Sequence, residues 1–524
     1  MQKTLLNVLL TLLYFSGSAQ NPGTLDTSFN STGITTLQPG TLNDVVYGLA
    51  VQPDAKIVFC GVGRITASSG FTSDMIIGRL NANGTIDASF ANNGYYNVAS
   101  TGGSVFGYDV KLQIDGKIVV CGGYSNTAAN PDFITVRLNP DGTPDTTYGN
   151  NNGISIIPVD AGEDYAYDLH IRNDGKIILA GSSKVPGFTY SRGVVMQLLD
   201  NGSIDTTFGT QGKTLVQLTS TSSETFRCMD VTPGGSIIAA GYSYQNNNEN
   251  FFMTGFTENG ILNTSFANNG TAFGGLMAYA YDIIVNGNSV FAGGKSSNSS
   301  GNDMAIICYD TLGIIKTTWA NNGIASANYN AVDVCLGLVI QPDGSLLAGG
   351  TSGLAGPFAD RNFFATRYTQ SGMLDTNFGT NGYVTYSIGS AFDDANAIAL
   401  QTDGKILLGG FAALGNNDMV IVRLLNDSSG VSTGIPSTIS NRNKIKIYPS
   451  PLSGDLFYLS GDFYPNEQLT ISIYKIRGEL ILNVVKNNAT ENEVTLPPTL
   501  SNGIYYVNVV SHLRTEAAPL IINR

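Results

Sequence analysis

The sequence predicts an all-β protein: a seven-bladed β-propeller that is closed by its N-terminal strand, followed by a small β-sandwich. Three observations predict this fold. A turn-and-strand phrase recurs through the first 424 residues, a second phrase recurs out of step with it, and the composition changes after Leu424. Repeats at a fixed period decide the architecture of a long chain before any other signal.

The first phrase is clearest at 174–181, where Asp-Gly-Lys-Ile-Ile-Leu-Ala-Gly predicts a turn and then a buried strand. Close copies begin at Asp54, Asp115 and Asp403, and degraded copies begin at Gly234, Asn286 and Asp343. Successive copies lie 52 to 61 residues apart. This spacing leaves room for about four short strands per repeat, which is typical of one propeller blade.

A complete unit lies at 164–213. Its apolar and alternating segments predict strands over 165–171, 176–180, 194–199 and 213–218. Gly175 and Gly202 mark the two turns, because glycine adopts a positive φ at little cost. The unit contains no helical period, so we expect four strands per repeat and no helix.

The second phrase, Leu-Asp-x-x-Phe, also occurs seven times. Its aromatic residues are Phe29, Phe90, Tyr148, Phe208, Phe266, Trp319 and Phe378. The first copy precedes the first turn-and-strand phrase, and no copy follows the last predicted strand at 419–424. We therefore expect residues 23–37 to supply the missing strand of the seventh blade, which would remove two exposed sheet edges.

A charge pattern follows the same register. An arginine lies eight residues before the phrase aspartate, across a three-residue hairpin loop that places the two side chains opposite one another. The pairs are Arg79 with Asp87, Arg137 with Asp145, and Arg367 with Asp375; Gln197 with Asp205 is a neutral version, and units four and five have Gly255 with Asn263 and Cys308 with Lys316. Arg423 has no such partner nearby, so a closed ring predicts that it meets Asp26.

The chain ends predict export. Residues 1–19 have a lysine at position 3, an apolar run over 5–15 and small residues before a cleavage point between Ala19 and Gln20, the pattern of a signal peptide; a buried N-terminal helix is the alternative. No later run has the roughly 20 apolar residues of a membrane span. We expect the propeller at 20–424, a polar linker at 425–443 and a β-sandwich at 444–524.

Composition excludes some functions. The chain has 524 residues, a net charge of −13, 13% charged residues and two histidines. An acidic balance argues against nucleic-acid binding. The five cysteines include Cys60 and Cys121 at a repeat position that elsewhere has alanine, so we interpret them as packing residues rather than disulfide or metal ligands.

Two families resemble parts of the chain. The repeats over 23–424 are similar to the delta-60 repeats of bacterial exported proteins, on the strength of residues 25–29, 174–181 and their copies. Residues 444–524 resemble the C-terminal sorting domain of the type nine (Por) secretion system of Bacteroidetes, through residues 447–451, 473–478, 500–507 and the basic end, with Ser450 in place of the usual Asn. This resemblance implies that the secretion machinery takes the chain across the outer membrane, removes the tail, and anchors or releases the protein.

Candidate catalytic groups are few. His170 is predicted to lie on a strand, and the carboxylates Asp160, Glu163, Asp164 and Asp168 are interpreted as a solvated loop, with Asp393 and Asp394 in the related loop of the seventh unit. No nucleophile elbow, phosphate loop or calcium loop is present. We therefore predict no catalytic, cofactor-binding or metal-binding residues and no cofactor. Ligand recognition is expected on the variable loops 182–192, 242–250 and 351–361.

The resulting hypothesis is a monomeric, non-catalytic protein displayed on the cell surface that binds or scaffolds a glycan or a protein. The alternative is a carbohydrate-active enzyme that uses carboxylates on the propeller loops, for which a pair about 5–10 Å apart would be required. A structural adhesion module in a larger assembly is not separable from the first hypothesis by sequence.

Overall fold

A computed structural model describes residues 21–67, 70–100, 102–126, 130–245, 248–275, 277–298, 301–354, 360–427, 446–448, 452–460, 468–475, 480–487, 491–497, 500, 503–510 and 515–522. The predicted signal peptide, with its cleavage point at Ala19 and Gln20, and nearly all of the predicted linker lie outside these residues. The chain divides into two compact units, Met1–Val431 and Ser432–Arg524.

The first unit is a β-propeller without helices in its described residues. Its strands fall into groups of four along the chain. The first three groups are β2 (Asp44–Val51), β3 (Ile57–Ala67), β4 (Gly70–Leu80) and β5 (Tyr95–Val98); β6 (Val105–Leu112), β7 (Ile118–Tyr124), β8 (Asp132–Leu138) and β9 (Ile154–Ile157); and β10 (Asp164–Ile171), β11 (Ile177–Lys184), β12 (Ser191–Leu198) and β13 (Lys213–Val216). The predicted strands of the unit at 164–213 are thus confirmed to within a few residues.

The next groups continue the pattern. They are β14 (Ser223–Val231), β15 (Ile237–Gln245), β16 (Asn248–Phe256) and β17 (Thr271–Phe273); β18 (Tyr279–Asn286), β19 (Ser289–Asn298), β20 (Gly301–Tyr309) and β21 (Ile324–Ala327); and β22 (Val332–Ile340), β23 (Leu346–Gly353), β24 (Arg361–Tyr368) and β25 (Tyr383–Tyr386). A parallel bridge between Asn302 and Val332 joins the last two groups into one eight-stranded sheet.

The remaining sheet contains strands from both ends of the unit. Its order is β1 (Ile34–Leu37), β28 (Asn417–Leu424), β27 (Ile406–Ala413) and β26 (Asp393–Leu400). Ile34 pairs with Val422 and Leu37 with Met419. β1 therefore occupies the position that β5, β9 and β13 take in their own sheets.

Apolar side chains fill the space between neighbouring groups. The phrase aromatics Phe29, Phe90, Tyr148, Phe208, Phe266, Trp319 and Phe378 are each at most 6% exposed. Phe29 belongs to a core cluster that also contains Phe59 of β3 and Leu407 of β27. The five cysteines are free and buried, which agrees with their interpretation as packing residues.

The second unit has two sheets. One contains β29 (Lys446–Tyr448), β30 (Leu456–Ser460) and β33 (Glu491–Thr495); the other contains β31 (Gln468–Lys475), β32 (Leu480–Asn487), β34 (Gly503–Val510) and β35 (Thr515–Ile522). Their buried residues, among them Phe457, Ile471 and Val507, form a single core. β30 is a strand that the sequence did not predict.

Candidate functional site: the axial cavity

The first strand of each four-strand group in the propeller, here called an inner strand, has a β-bulge at the same point. In β10 the register with β11 shifts between Ala166 and Asp168, which leaves Tyr167 unpaired. A bulge bends the strand and re-aims the side chain at that point. Across the described inner strands β2, β6, β10, β14, β18, β22 and β26, the unpaired residues are Tyr47, Tyr108, Tyr167, Arg227, Tyr281, Leu336 and Asn396.

All of these bulge residues line one cavity of about 710 Å³, here called the axial cavity. Its wall has two different halves. Charged side chains come from β6, β10, β14 and β18, whereas β22, β26 and β2 contribute mainly aliphatic residues such as Leu338, Ile398 and Leu49. A cavity of this size with a few convergent polar groups is the usual form of a small-molecule site.

Lys111 and two aspartates form the centre of the charged wall. Lys111 Nζ donates to both carboxylate oxygens of Asp109, at 3.0 and 2.7 Å, and lies 4.0 Å from Asp168 Oδ1. Further along the wall, His170 Nδ1 lies 3.7 Å from Asp230 Oδ1. An ammonium group between two carboxylates reduces their repulsion.

Three aspartates also tie an inner strand to the next one. Asp168 Oδ2 accepts a hydrogen bond from the Met229 amide at 2.6 Å, Asp230 Oδ2 from Val285 at 2.7 Å, and Asp282 Oδ2 from Leu338 at 2.7 Å. An inner strand has no further strand on its cavity side, so these amides need another acceptor. The carboxylates therefore stabilise the arrangement of the strands as well as forming the cavity wall.

Burial changes the protonation of this wall. Burial and the neighbouring Asp109 raise the pKa of Asp168 well above its usual range, and burial raises the pKa of Asp282 to about 7. Burial also lowers the pKa of His170. Burial opposes the charge of Lys111, but Asp109 and Asp168 more than compensate and raise its pKa. Burial thus favours the uncharged forms of Asp168, Asp282 and His170 in this wall, whereas its carboxylate neighbours favour the charged form of Lys111.

Aromatic rings form the next layer of the cavity. The rings of Tyr47 and Tyr108 are 5.4 Å apart, and those of Tyr108 and Tyr167 are 5.0 Å apart. Tyr279 and Tyr281 stack at 5.5 Å. The Arg227 guanidinium lies 4.1 Å from the centre of the Tyr167 ring, within range of a cation–π interaction.

The side-chain pairs read from the sequence lie outside this cavity, at the turns between the third and fourth strands. Arg79 Nε lies 2.8 Å from Asp87 Oδ2, Arg137 Nε lies 2.8 Å from Asp145 Oδ2, and Arg367 lies 2.7 Å from Asp375. Gln197 Nε2 donates to Asp205 Oδ2 at 2.9 Å. In each pair the partner residues face one another across the hairpin, as the three-residue loop requires.

Arg423 and Asp26 lie together despite the 397 positions between them. Arg423 Nε donates to Asp26 Oδ2 at 2.8 Å, and the Asp26 amide donates to the Arg423 carbonyl at 2.9 Å. Arg423 also lies 4.6 Å from the centre of the Phe29 ring. The contact has the same form as the pairs that lie eight residues apart.

A second cation at these pairs was missed. Lys56 lies 2.8 Å from Asp87, Lys176 lies 2.9 Å from Asp205, and Lys405 lies 3.3 Å from Asp26. Each lysine comes from the Asp-x-Lys turn that opens the second strand. The lysine that recurs in this turn is the sequence signal for the second cation.

The interpretation of the acidic cluster as a solvated loop is wrong for two of its members. Asp168 lies on β10 in the axial cavity, and Asp164 is fully buried at the start of the same strand. The other two form ion pairs, Asp160 with Arg192 and Glu163 with Lys184. Asp164 is the first residue of β10, one position before the predicted strand, and the bulge in that strand turns two successive residues, Tyr167 and Asp168, toward the cavity.

The loops expected to recognise a ligand do not line the axial cavity. Of 182–192, 242–250 and 351–361, the described residues lie in or beside the second and third strands of their groups. Within the described residues, no group of three or more His, Cys, Asp or Glu side chains is arranged to hold a metal ion. No helix there is long and apolar enough to cross a membrane.

Comparison with solved structures finds distant likenesses. A fungal alcohol oxidase of the AA5 family, in complex with copper, aligns with a TM-score of 0.41 at 12% identity, over 94% of this chain and 98% of that one. A gluconolactonase from Xanthomonas campestris has a TM-score of 0.32 at 10% identity, over 75% and 89% of the two chains. A β-fructofuranosidase from Bombyx mori has a TM-score of 0.27 at 10% identity, over 68% and 85%. No curated protein matches the chain.

Comparison with protein families gives two matches. Residues 52–90, 113–148, 172–208 and 401–430 match the β-propeller domain of unknown function DUF5122, with which the delta-60 naming is consistent. Residues 446–523 match the secretion system C-terminal sorting domain, which indicates export to the outer-membrane surface or the extracellular space. The chain is therefore similar to the DUF5122 β-propeller domain in four segments of its first unit and to the secretion system C-terminal sorting domain in its second unit, and the second similarity indicates export.

Proposed function

We propose that the mature protein is a seven-bladed propeller, closed by its N-terminal strand, that acts as a non-catalytic binding module at the cell surface or outside the cell. Its ligand site is the axial cavity. In this proposal residues 1–19 are the signal peptide, 425–443 a linker, and 444–524 the segment that the secretion machinery recognises. The propeller works as a monomer.

Contacts between the first and last strands support a closed ring. β1 extends the sheet of β26 to β28, and the Gly23 amide donates to the Leu425 carbonyl at 2.7 Å. At the next interface, the Gly379 amide donates to the Pro22 carbonyl at 2.8 Å. The same contact recurs between other neighbouring units, for example from Ala91 to Asp141 and from Ala320 to Ser371, each at 2.8 Å.

The axial cavity is the observation that most directly supports the proposed binding role. Its volume lies within the range of roughly 300–1,000 Å³ typical of small-molecule sites. Its wall offers hydrogen-bond acceptors on one side and aliphatic surface on the other, a combination that suits the hydroxyl edge and the apolar face of a saccharide. The end of a glycan, rather than a folded protein domain, is the ligand that fits a cavity of this volume.

The state of the carboxylates favours binding over catalysis. Asp168, Asp230 and Asp282 each accept a backbone amide of the neighbouring inner strand, and Asp109 is bound to Lys111. A carboxylate that is committed to such ties is a poor nucleophile, because attack on a substrate would break a contact between strands. These groups accept hydrogen bonds from a ligand without needing to move.

A carbohydrate-active enzyme is the second candidate. Asp109 and Asp168 lie 2.7 and 4.0 Å from the same Lys111 Nζ, and the raised pKa of Asp168 is a property of a general acid. However, glycosidase carboxyl groups stand about 5 Å or more apart so that the sugar and water fit between them. At Asp109 and Asp168 it is the Lys111 ammonium group, rather than a sugar and a water, that lies between the carboxyl groups.

Glycan-array binding of the full-length protein tests the proposal. We expect the wild-type protein to bind a subset of glycans and the variant Ala397→Trp, which fills the cavity, to lose that binding. Asn416→Trp, on an exposed turn, is the matched control and keeps it. Equal binding by Ala397→Trp would place the ligand elsewhere, and release of shortened sugars by the wild-type protein but not by Asp168→Asn would favour the enzyme.

A further inference from the structure

Arg227 has an unusual environment among the arginines of the propeller. Seven other arginines of the propeller each lie within 4 Å of a carboxylate. They are Arg79, Arg137, Arg172, Arg192, Arg361, Arg367 and Arg423. Arg227 has no such partner among the described residues. A guanidinium group carries five N–H donors and keeps its charge in a protein, so enclosing one without an anion is costly.

Its surroundings leave room for an anion. Arg227 occupies the bulge of β14, where the neighbouring inner strands have Tyr167 and Tyr281, and its side chain lines the axial cavity. One face of the guanidinium lies against the Tyr167 ring. The Tyr167 hydroxyl also interacts with Arg227. A guanidinium carries five N–H donors, so donors remain on its edge for a planar group with two oxygen atoms.

The next residues along the inner strands offer the opposite chemistry. Asp168 and Asp282 directly follow the bulge tyrosines and also line the cavity. Each accepts a backbone amide of the next inner strand through Oδ2, and Asp168 Oδ1 also accepts the Leu169 amide at 2.8 Å. A carboxylate oxygen has two lone pairs, so both aspartates keep acceptor sites for hydroxyl groups in the cavity. The cavity thus places an oxyanion receptor beside a row of hydroxyl receptors, with tyrosine rings between them.

We propose that the axial cavity binds a saccharide that carries a carboxylate, a uronic-acid-type sugar, with the carboxylate paired to Arg227. This inference rests on the proposed binding function and names its ligand class. The carboxylate forms two parallel hydrogen bonds with the guanidinium, the sugar hydroxyls donate to the aspartates, and a sugar face stacks on a tyrosine ring. Arg227 fixes which end of the sugar enters.

Calorimetric titration of the full-length protein tests this assignment. The probes are a galacturonate trisaccharide, the neutral galactose trisaccharide and a sulfated galactose trisaccharide. We expect the wild-type protein to bind the galacturonate form at least tenfold more tightly than the other two. Arg227→Gln should lose that preference, since a hydrogen bond to a charged group contributes roughly tenfold or more in affinity.

Two further variants keep the result interpretable. Arg227→Lys retains the charge but not the planar fork, so we expect an intermediate loss. Arg172→Gln removes an arginine that pairs with Glu258 outside the cavity and should bind as the wild type does. Melting temperatures of all variants check that they are folded.

Several outcomes would overturn the assignment. Equal binding of the galacturonate and galactose probes would show that the carboxylate is not recognised, but it would not contradict binding in the cavity. Equal or tighter binding of the sulfated probe, or unchanged binding by Arg227→Gln, would remove the role given to Arg227. A third outcome is that none of the three probes binds, while Ala397→Trp abolishes binding of another glycan on the array. This would contradict the proposed ligand class but support the cavity as the binding site.

Discussion

Arg423 and Asp26 form a buried ion pair with little room for exchange with water, since the two residues are 4% and 5% exposed. The pair is supported from several sides, because Asp26 also accepts from the Ser28 hydroxyl at 2.6 Å and lies near Lys405. Removing one partner from such a pair leaves a buried charge that has lost part of its compensation. The two chain ends are therefore coupled through a contact that is costly to break.

Substitution Arg423→Ala should lower the free energy of unfolding by about 3 kcal/mol, because Asp26 stays buried with only Lys405 and Ser28 as partners. Chemical denaturation measures this. Arg137→Ala, which breaks the pair with Asp145 inside one unit, is the matched control and should cost a similar amount. A near-zero effect at Arg423 beside a large effect at Arg137 would mean that the Asp26 contact does not form in solution.

Buried carboxylates at the start of the inner strands respond to pH in the opposite direction from these pairs. Burial raises the pKa of Asp44 and of Asp164 to about 6. The folded protein then holds protons that the unfolded chain has lost, so this stabilisation is complete below pH 4 and disappears as the pH rises to about 6. Burial would also raise the pKa of Asp87, but hydrogen bonds from Lys56 and Ser89 and the charge of Arg79 lower it, so its contribution is lost in acid.

The two trends predict a maximum of stability between about pH 4 and 5. A shift of about 2 pKa units at Asp164 corresponds to about 3 kcal/mol lost between pH 4 and 7. Asp164→Asn removes this titration and should flatten the decline of the melting temperature over that range. Asp174→Asn, on an exposed turn, is the control. An unchanged slope in Asp164→Asn would contradict the raised pKa.

At the residue scale, the sequence predicts contacts between residues that lie close together in the chain. It does not predict the environment of a side chain that is determined by residues of a neighbouring strand. The Arg–Asp spacing of eight residues follows from the hairpin alone. Asp168, in contrast, becomes a cavity residue only because Met229, some 60 positions later, supplies its amide. The sequence gives no sign of the role proposed for Arg227, because that role depends on the absence of a neighbouring carboxylate, which only the structure shows.

At the scale of elements, each turn between the third and fourth strands packs on the phrase aromatic of the preceding unit. Gly260 has a φ of +75°, and a Cβ atom there would lie 2.3 Å from a Phe208 ring carbon. Glycine is therefore needed here for two reasons. It adopts the positive φ at little cost, and it leaves the space above the ring free. Trp319 fills the same slot beneath Gly372, as its place in the repeat predicted.

Two glycine substitutions separate these reasons. Gly404 also has a positive φ, +85°, but nothing lies within 4 Å of its added Cβ. Gly404→Ala should therefore cost about 1–2 kcal/mol, the penalty for the left-handed conformation. Gly260→Ala adds a clash with Phe208 and should cost roughly 1–3 kcal/mol more. Equal losses in thermal denaturation would mean that the ring moves away without cost.

The bulges mark the limit of prediction for elements. Strand positions follow from apolar patterns, so the four strands of the unit at 164–213 could be placed in advance. A bulge adds one residue to a strand without a consistent sequence sign, because the unpaired residue is tyrosine in four units, arginine in one, and leucine or asparagine in the others. The axial cavity therefore could not be derived from the sequence, although the strands around it could.

At the scale of the whole molecule, the proposed ring depends on chain segments that are synthesised first and last. Residues 23–37 contribute three kinds of contact to the last group of strands or its neighbour. β1 pairs with β28, Asp26 pairs with Arg423, and Phe29 packs in the core cluster of β3 and β27. An open array would leave the free edge of β28 and the inner strand β2 without these partners. The axial cavity also requires closure, since residues of both β2 and β26 line it.

Hydrogen exchange of the full-length protein, followed by mass spectrometry, tests this closure most directly. In a closed ring the amides of residues 23–37 exchange as slowly as those of 144–157, the equivalent segment within one unit, because both then open only when a complete four-stranded sheet unfolds. Exchange of 23–37 within seconds, while 144–157 stays protected for hours, would show that the N-terminal segment is not part of the last sheet and would contradict the account.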